Sequence, residues 1–228
     1  MMNIDQKREL LGILLEIVSD HKKTLFQEII EKRTRHITVV LEDIFQSQNA
    51  SAVLRSADCF GIQDVHIIEK RNEYTINPDV ALGSSKWLSM HKYSEIDANN
   101  TELAFDHLKK KGYQIVATTP HHDDILLEDL DISKKTALVF GTELEGLSDY
   151  AIQNADVHMK IPMYGFTESF NISVSAAICM HFLSERLRKT SYNWQLNEDE
   201  KIDVLLTWAR SVVKSAPQIE KKYLSQYE

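Results

Sequence analysis

The stretch His36-Ile37-Thr38-Val39-Val40-Leu41, followed by Gln48-Asn49-Ala50-Ser51-Ala52-Val53-Leu54-Arg55 and closed by Phe60-Gly61, decides how the chain is read. Its first six residues are apolar and largely β-branched, which suits a buried strand. From Asn49 to Phe60, small and apolar residues recur at Ala52, Val53, Ala57 and Phe60, a helical spacing, and Gly61 stands where a helix would end. Val65-His66-Ile67-Ile68 reads as the next strand. Strand, helix and strand in this order is the unit from which a parallel sheet is built.

The same alternation continues outward. Glu102 to Lys111, ended by Gly112, predicts a helix, and Tyr113 to Thr118 a strand. Thr136 to Phe140 and Val157 to Ile161 predict further strands, Ser148 to Asn154 a helix, and Ile172 to Leu187 a long helix. The expected fold class is α/β, with a mainly parallel sheet and flanking helices. Upstream, Leu10, Ile13, Leu14, Ile17, Leu25, Phe26, Ile29 and Ile30 have helical spacing broken near Ser19-Asp20, so two short helices are expected there. Downstream, an aromatic loop, Tyr192-Asn193-Trp194, precedes a C-terminal helix marked by Ile202, Leu205, Leu206, Ala209 and Val212. Asn77-Pro78 and Ser215-Ala216-Pro217 read as sharp punctuation. The expected organisation is a helical extension over 1–35, a central domain over 36–188 and a second helical extension over 189–228.

Composition narrows the function classes. The 228 residues are 43% hydrophobic, enough for a sizeable core. The two cysteines, Cys59 and Cys179, are far apart and lack metal-ligand spacing, which implies reduced thiols and a cytoplasmic setting. The apolar run Leu10 to Val18 is interrupted by Glu16 and lacks a cleavage pattern, so neither a signal peptide nor a membrane span is expected. The net charge of −8 disfavours a polyanionic partner until its distribution is seen: Lys plus Arg against Asp plus Glu is 7 and 6 over 1–40, 11 and 21 over 41–184, and 8 and 7 over 185–228. The acidic excess is central. Both ends carry basic clusters, Lys22-Lys23, Lys32-Arg33-Arg35, Arg186-Arg188-Lys189 and Lys221-Lys222, which could hold a polyanion or could be solvated helix faces.

Three polar-rich segments stand beside apolar strand-like runs. They are Gln48 to Arg55, Phe140-Gly141-Thr142-Glu143-Leu144-Glu145-Gly146, and Ile161-Pro162-Met163-Tyr164-Gly165 continuing to Ser169-Phe170-Asn171-Ile172-Ser173. Ligands of an open parallel sheet bind at the carboxyl ends of its strands, where these segments fall. The glycines around Glu143 suit a backbone wrapped closely about a ligand, though a tight turn would also use them. Asn49 and Arg55 lie a little under two helical turns apart. Asn49 can serve as an N-cap, and Arg55 as an ion-pair partner or as a fork for phosphate. Ser169 and Asn171 can likewise be caps.

Taken in order, Asn49-x5-Arg55, Phe140-Gly141-x-Glu143-x-x-Gly146 and Ile161-Pro162-Met163 with Ser169-Phe170-Asn171-Ile172-Ser173 resemble motifs 1, 2 and 3 of the SpoU/TrmH family of RNA ribose 2′-O-methyltransferases, in the SPOUT superfamily. The resemblance covers about His36 to Leu187. It implies a parallel α/β domain with a deep trefoil knot between roughly Tyr113 and Glu185, an exception to the rule that chains avoid threading. It implies S-adenosylmethionine as cofactor, held by Thr118, Gly141, Ile161 and Phe170. Arg55 would be the central catalytic residue, with Asn49, Glu143, Ser169 and Asn171 orienting it and the ribose. The helical extension at each end, with Asn-x-Ser-Ala-x-x-Arg-Ser in motif 1, most resembles the members that methylate the D-loop guanosine at tRNA position 18 as obligate homodimers, the terminal helices gripping tRNA. One departure is Glu168 where the family often has Gln, with Phe170 where it often has Leu.

The alternatives are an rRNA 2′-O-methyltransferase of the same family or a non-catalytic RNA-binding module using Tyr192, Trp194 or Trp208 as stacking platforms, although Trp208 lies on the apolar stripe. A Rossmann enzyme would need a glycine-rich loop where this chain has Gln48-Asn49-Ala50-Ser51. A metal hydrolase would rest on His121-His122-Asp123-Asp124, whose adjacent histidines lack ligand spacing, so no metal site is expected.

Overall fold

The stretch that opens the central alternation becomes the centre of the sheet. β1 (Ile37–Glu42) is buried along its whole length, as a strand covered by helices on both faces must be. In the computed structural model, which describes residues 2–72, 74, 77–120, 124–142 and 144–227, it pairs in parallel with β2 (Asp64–Ile68), Val39 opposite Val65. The other strands are β3 (Ser89–Tyr93), β4 (Tyr113–Thr118), β5 (Ile125–Leu126), β6 (Lys135–Phe140) and β7 (Val157–Lys160). Among the described residues they form one sheet in the order β3-β2-β1-β6-β4-β7-β5, parallel throughout.

Helices cover both faces. α3 (Ser47–Cys59) and α7 (Ile172–Arg188) pack on the face built from Ile37, Val39 and Leu41, contributing Val53, Leu54, Ala176, Met180 and Leu183. After the short helix α4 (Pro78–Ala81), α5 (Asn100–Lys110) and α6 (Asp149–Asn154) cover the opposite face with Phe105, Leu108 and Ala151 against Val40, Ile115 and Val139. Successive residues of β1 thus serve two cores, because strand side chains alternate between faces. Gly61 ends α3 with φ 77°, a left-handed conformation that a Cβ would penalise. α3 begins two residues before the expected Asn49, with Gln46 as its N-cap, so Asn49 lies inside the first turn and is not the cap.

The chain divides into two compact units, Arg35–Trp194 and Met1–Thr34 together with Gln195–Glu228. The second unit contains α1 (Ile4–Ile17) and α2 (Asp20–Ile30), with the break at Ser19-Asp20, and α8 (Glu198–Val212) and α9 (Ala216–Leu224). Capping boxes open α1 at Asn3 and Gln6 and α8 at Asn197 and Glu200, satisfying amide groups that a helix start leaves without partners. Ser215-Ala216-Pro217 starts a helix, Pro standing in its first turn where no amide hydrogen is needed. Leu10, Leu14, Leu206, Ala209, Val213 and Tyr223 form the core of this unit. Trp208 is 2% exposed, with Phe26 at 5.4 Å between ring centroids and the Arg33 guanidinium 5.3 Å from its ring, which removes it as a stacking platform.

Several basic residues expected at the surface have structural partners. Arg33 is buried. Arg186 donates to the Leu130 carbonyl at 3.1 Å, and Arg188 to that of Phe60 at 3.0 Å while lying 4.8 Å over the Trp194 ring. Lys32, Lys189, Lys221 and Lys222 are exposed. Cys179 is buried, which pushes its thiol up to about 12, and Cys59 is exposed. No helix of the described residues is long and apolar enough to cross a membrane.

Candidate active site

A cavity of about 470 Å³ opens at the carboxyl ends of β4, β6 and β7. Its size falls within the ~300–1,000 Å³ usual for small-molecule sites. Thr118, Gly141, Ile161, Ser169 and Phe170 all line it, with Met163 beside them. Each follows from the fold: Thr118 ends β4, Gly141 follows β6, and Ile161 follows β7. The Thr118 hydroxyl donates to the Val139 carbonyl at 2.8 Å, so it fixes the cavity wall and leaves backbone and methyl to face a ligand. Among the described lining residues the charged ones are Glu145 and Glu168, both carboxylates. A wall of mixed polar and apolar groups with a carboxylate at Glu168 suits a ligand that carries a positive centre on an apolar or aromatic body.

The loop after β6 is shaped by close backbone approach. Thr142 and Gly146 exchange amide hydrogen bonds of 2.9 and 3.1 Å. This folds the loop back on Gly141, where an added Cβ would collide with the Gly146 carbonyl and the Leu147 nitrogen. Glycine is therefore required there by packing. Glu143 lies outside the described residues.

Two anchors that the motif reading missed hold this loop. Arg71, beyond β2, grips Glu145 with Nη1 to Oε1 at 3.1 Å and Nη2 to Oε2 at 2.6 Å, and gives Nε to Asp43 Oδ2 at 3.0 Å. Asp43 also accepts from the amides of Arg71 and Asn72 at 2.8 and 2.9 Å. Burial opposes ionisation of Asp43, but these donors outweigh it and hold its carboxyl below the usual range. The Arg71 fork likewise lowers Glu145. Glu42, buried at the end of β1, accepts from Thr101 Oγ1 at 2.5 Å, Ser148 Oγ at 2.7 Å and Ser148 N at 2.9 Å, pinning the start of α6. Carboxylates at the end of β1, Glu42-Asp43, are the sequence signal for both anchors, because strand ends are where loops must be tied.

Motifs 1 and 3 meet through their asparagines. Asn171 is the N-cap of α7, accepting from Ser173 N at 2.9 Å, and its Nδ2 donates to Asn49 Oδ1 at 3.2 Å. Asn171 is therefore a cap and a bridge at once. Ser51, between Asn49 and Arg55, is buried and accepts from Asn77 N at 3.0 Å. Arg55 is exposed on α3, makes no hydrogen bond or ion pair among the described residues, and is not among those lining the cavity. The ion-pair reading of Arg55 thus finds no partner among them. His121-His122-Asp123 lie outside the described residues.

With the parallel sheet, the loop after β6 and the motif 3 cap in place, the class of protein is defined: residues 36–181 match the model of the SpoU rRNA Methylase family, and the chain belongs to that family. Over 210 residues it is 50% identical to the tRNA (guanosine(18)-2'-O)-methyltransferase of Borreliella burgdorferi, covering 92% of this chain and 94% of the relative. It is 29% identical over 194 residues to the Thermus thermophilus protein of the same name, covering 84% and 97%. Among solved structures it resembles the A. aeolicus TrmH/SpoU tRNA modifying enzyme, with a TM-score of 0.74, 30% identity, and 86% and 98% of the two chains covered. The SpoU methyltransferase AviRb from Streptomyces viridochromogenes, solved with AdoMet, shares the fold at a TM-score of 0.60 and 20% identity, covering 72% and 65%.

Proposed function

We propose that this chain transfers a methyl group from S-adenosylmethionine to a ribose 2′-hydroxyl of tRNA, at the D-loop guanosine of position 18. The observation that carries this reading is the Asn171 to Asn49 hydrogen bond, which joins the helix bearing Arg55 to the segment bearing Ser169 and Phe170. The 50% identity to a relative named for that reaction, spanning nearly all of both chains, supports the choice of substrate. Tyr113 to Glu185 would thread the trefoil knot, a reading supported by β7 lying between β4 and β5 in the sheet.

Thr118, Gly141, Ile161 and Phe170 would hold the cofactor, and the carboxylate of Glu168 complements its cationic centre. When bound, S-adenosylmethionine supplies a methyl on a sulfonium, already a good leaving group, so alignment and hydroxyl activation remain for the protein. Arg55, with a guanidinium pKa above ~12, is a poor base and a good phosphate fork. Its role is to grip the phosphate beside the target ribose, with the 2′-hydroxyl proton leaving through that phosphate. Asn49, Glu143, Ser169 and Asn171 orient Arg55 and the ribose. The working unit is a homodimer, a reading supported by the exposure of Phe45, Leu144, Tyr164 and Phe166. The terminal helices, with Lys32, Lys221 and Lys222 exposed, add contacts to the tRNA backbone.

The test is titration calorimetry with S-adenosylmethionine, followed by mapping of labelled methyl groups in tRNA and rRNA incubated with the protein. One 2′-O-methyl at the D-loop guanosine is expected. Methylation of rRNA alone would move the substrate to another branch of the family, and absence of cofactor binding would end the methyltransferase reading.

A further inference from the structure

Away from the cavity, the edge of the sheet carries a second concentration of chemistry. Asp64 and His66 are two apart on β2 and so share a face, and His91 on β3 stands in register with His66. One ligand atom from each of the three lies within 4.8 Å of the others. Asp64 Oδ2 and His91 Nε2 are 3.7 Å apart, close to the ~3.4 Å separating ligand atoms of a tetrahedral site with 2.0–2.1 Å bonds. His91 Nε2 is buried and makes no hydrogen bond of ordinary length, Asp64 standing beyond that reach at 3.7 Å, an arrangement that ordinary packing avoids.

The surroundings resemble the outer layer of a metal site. His66 Nδ1 is 3.0 Å from the Tyr93 hydroxyl, which is in turn 2.6 Å from His107 Nδ1. With the hydroxyl proton given to His107, Tyr93 accepts from His66 Nδ1 and leaves Nε2 as the lone-pair nitrogen, the usual way a second layer fixes a ligand tautomer. Arg35 Nε donates to Asp64 Oδ1 at 3.1 Å, while the other carboxylate oxygen, Oδ2, is the one beside His91.

We propose that Asp64, His66 and His91 form a binding site for one borderline divalent cation of the zinc class, which pins the edge strand β3 to β2. Two imidazoles and a carboxylate match such an ion better than they match magnesium or calcium, which prefer all-oxygen sets. The site lies off the cavity-lining strands β4, β6 and β7, so its role is structural and separate from methyl transfer.

The test uses the full chain stripped with chelator. Cobalt is titrated in and followed by its visible ligand-field absorption, and zinc affinity is read by competition with a chromophoric chelator. One equivalent per chain is expected, with zinc raising the unfolding temperature. His91→Ala and Asp64→Asn should each weaken binding by more than ~10-fold, the least expected when even an outer partner of a ligand is lost. His181→Ala should leave binding unchanged, and methyl transfer by His91→Ala should match that of the unaltered chain. Failure of the unaltered chain to bind cobalt stoichiometrically would overturn the proposal whatever the variants do, as would unchanged binding in both variants or a zinc-induced thermal shift that survives in His91→Ala.

Discussion

The cavity at the carboxyl ends of β4, β6 and β7 and the histidine-rich edge at β2 and β3 treat polar side chains in opposite ways. Ser169 in the cavity wall and Arg55 on α3 are exposed, and the bonds that shape the cavity region belong to its frame: the Asn171 cap, the Thr142 to Gly146 turn and the Arg71 clasp. At the edge, Asp64 and His66 are almost wholly buried and engaged with Arg35, Tyr93 and His91. A group that must meet a large ligand has to be left uncommitted while its backbone is held. A group that meets a bare ion can be buried beforehand, because the ion needs little room.

The contrast fails most visibly if Arg55 proves structural. Arg55→Ala should lower the rate of methyl transfer by ~10²–10⁴-fold, the scale of a lost proton-transfer or phosphate-gripping group. Cofactor affinity by calorimetry should stay within ~3-fold, a difference under 1.4 kcal/mol. Equal loss of both would mean that Arg55 holds the fold.

Gly141→Ala addresses the frame. A methyl group driven into the Gly146 carbonyl should cost about 1–3 kcal/mol in denaturant unfolding, as overpacking does. Cofactor affinity should fall by more than ~10-fold, since the displaced loop is the cavity wall. An unchanged affinity would mean that the loop does not touch the cofactor.

Smaller effects test the clasp of Arg71 on Asp43 and the Asn171 bridge. Asp43→Asn should destabilise the protein at neutral pH by about 1–3 kcal/mol, the cost of weakening hydrogen bonds to a buried acceptor. Because the folded pKa of Asp43 is lowered, its contribution is complete above the ordinary carboxylate value of ~4 and is lost as pH falls through the folded value. The gap between the variant and the unaltered chain should therefore narrow in acid, and a gap that widens would contradict the clasp. Asn171→Ala should cost about 1 kcal/mol through the lost cap. A double-mutant cycle with Asn49→Ala should return a coupling of about 0.5–1.5 kcal/mol if the bridge is intact.

Much of the central fold was legible because its signals are local. Tyr113 to Thr118 was expected as a strand and is β4 with the same limits, since an apolar run between Gly112 and a polar loop admits little else. β3 went unread: Ser-Met-His-Lys-Tyr has neither alternation nor an apolar run, because an edge strand does not need to be buried on both faces. β5, two residues long, carries no periodicity at all. α9 was masked by Pro217, which reads as a break although it opens a helix.

The sequence by itself determined the alternation of strands and helices, the three motifs and their order, and hence the family. Periodicity, caps and motif spacing are carried by neighbouring residues, so they survive without coordinates. Only the tertiary structure decided that Asn171 reaches Asn49, 122 positions away, that Arg71 clasps both Asp43 and Glu145, and that Asp64, His66 and His91 converge. Such pairings depend on which strands lie side by side and which face each residue takes. That register is fixed by the packing of the whole sheet and appears in no local stretch of chain.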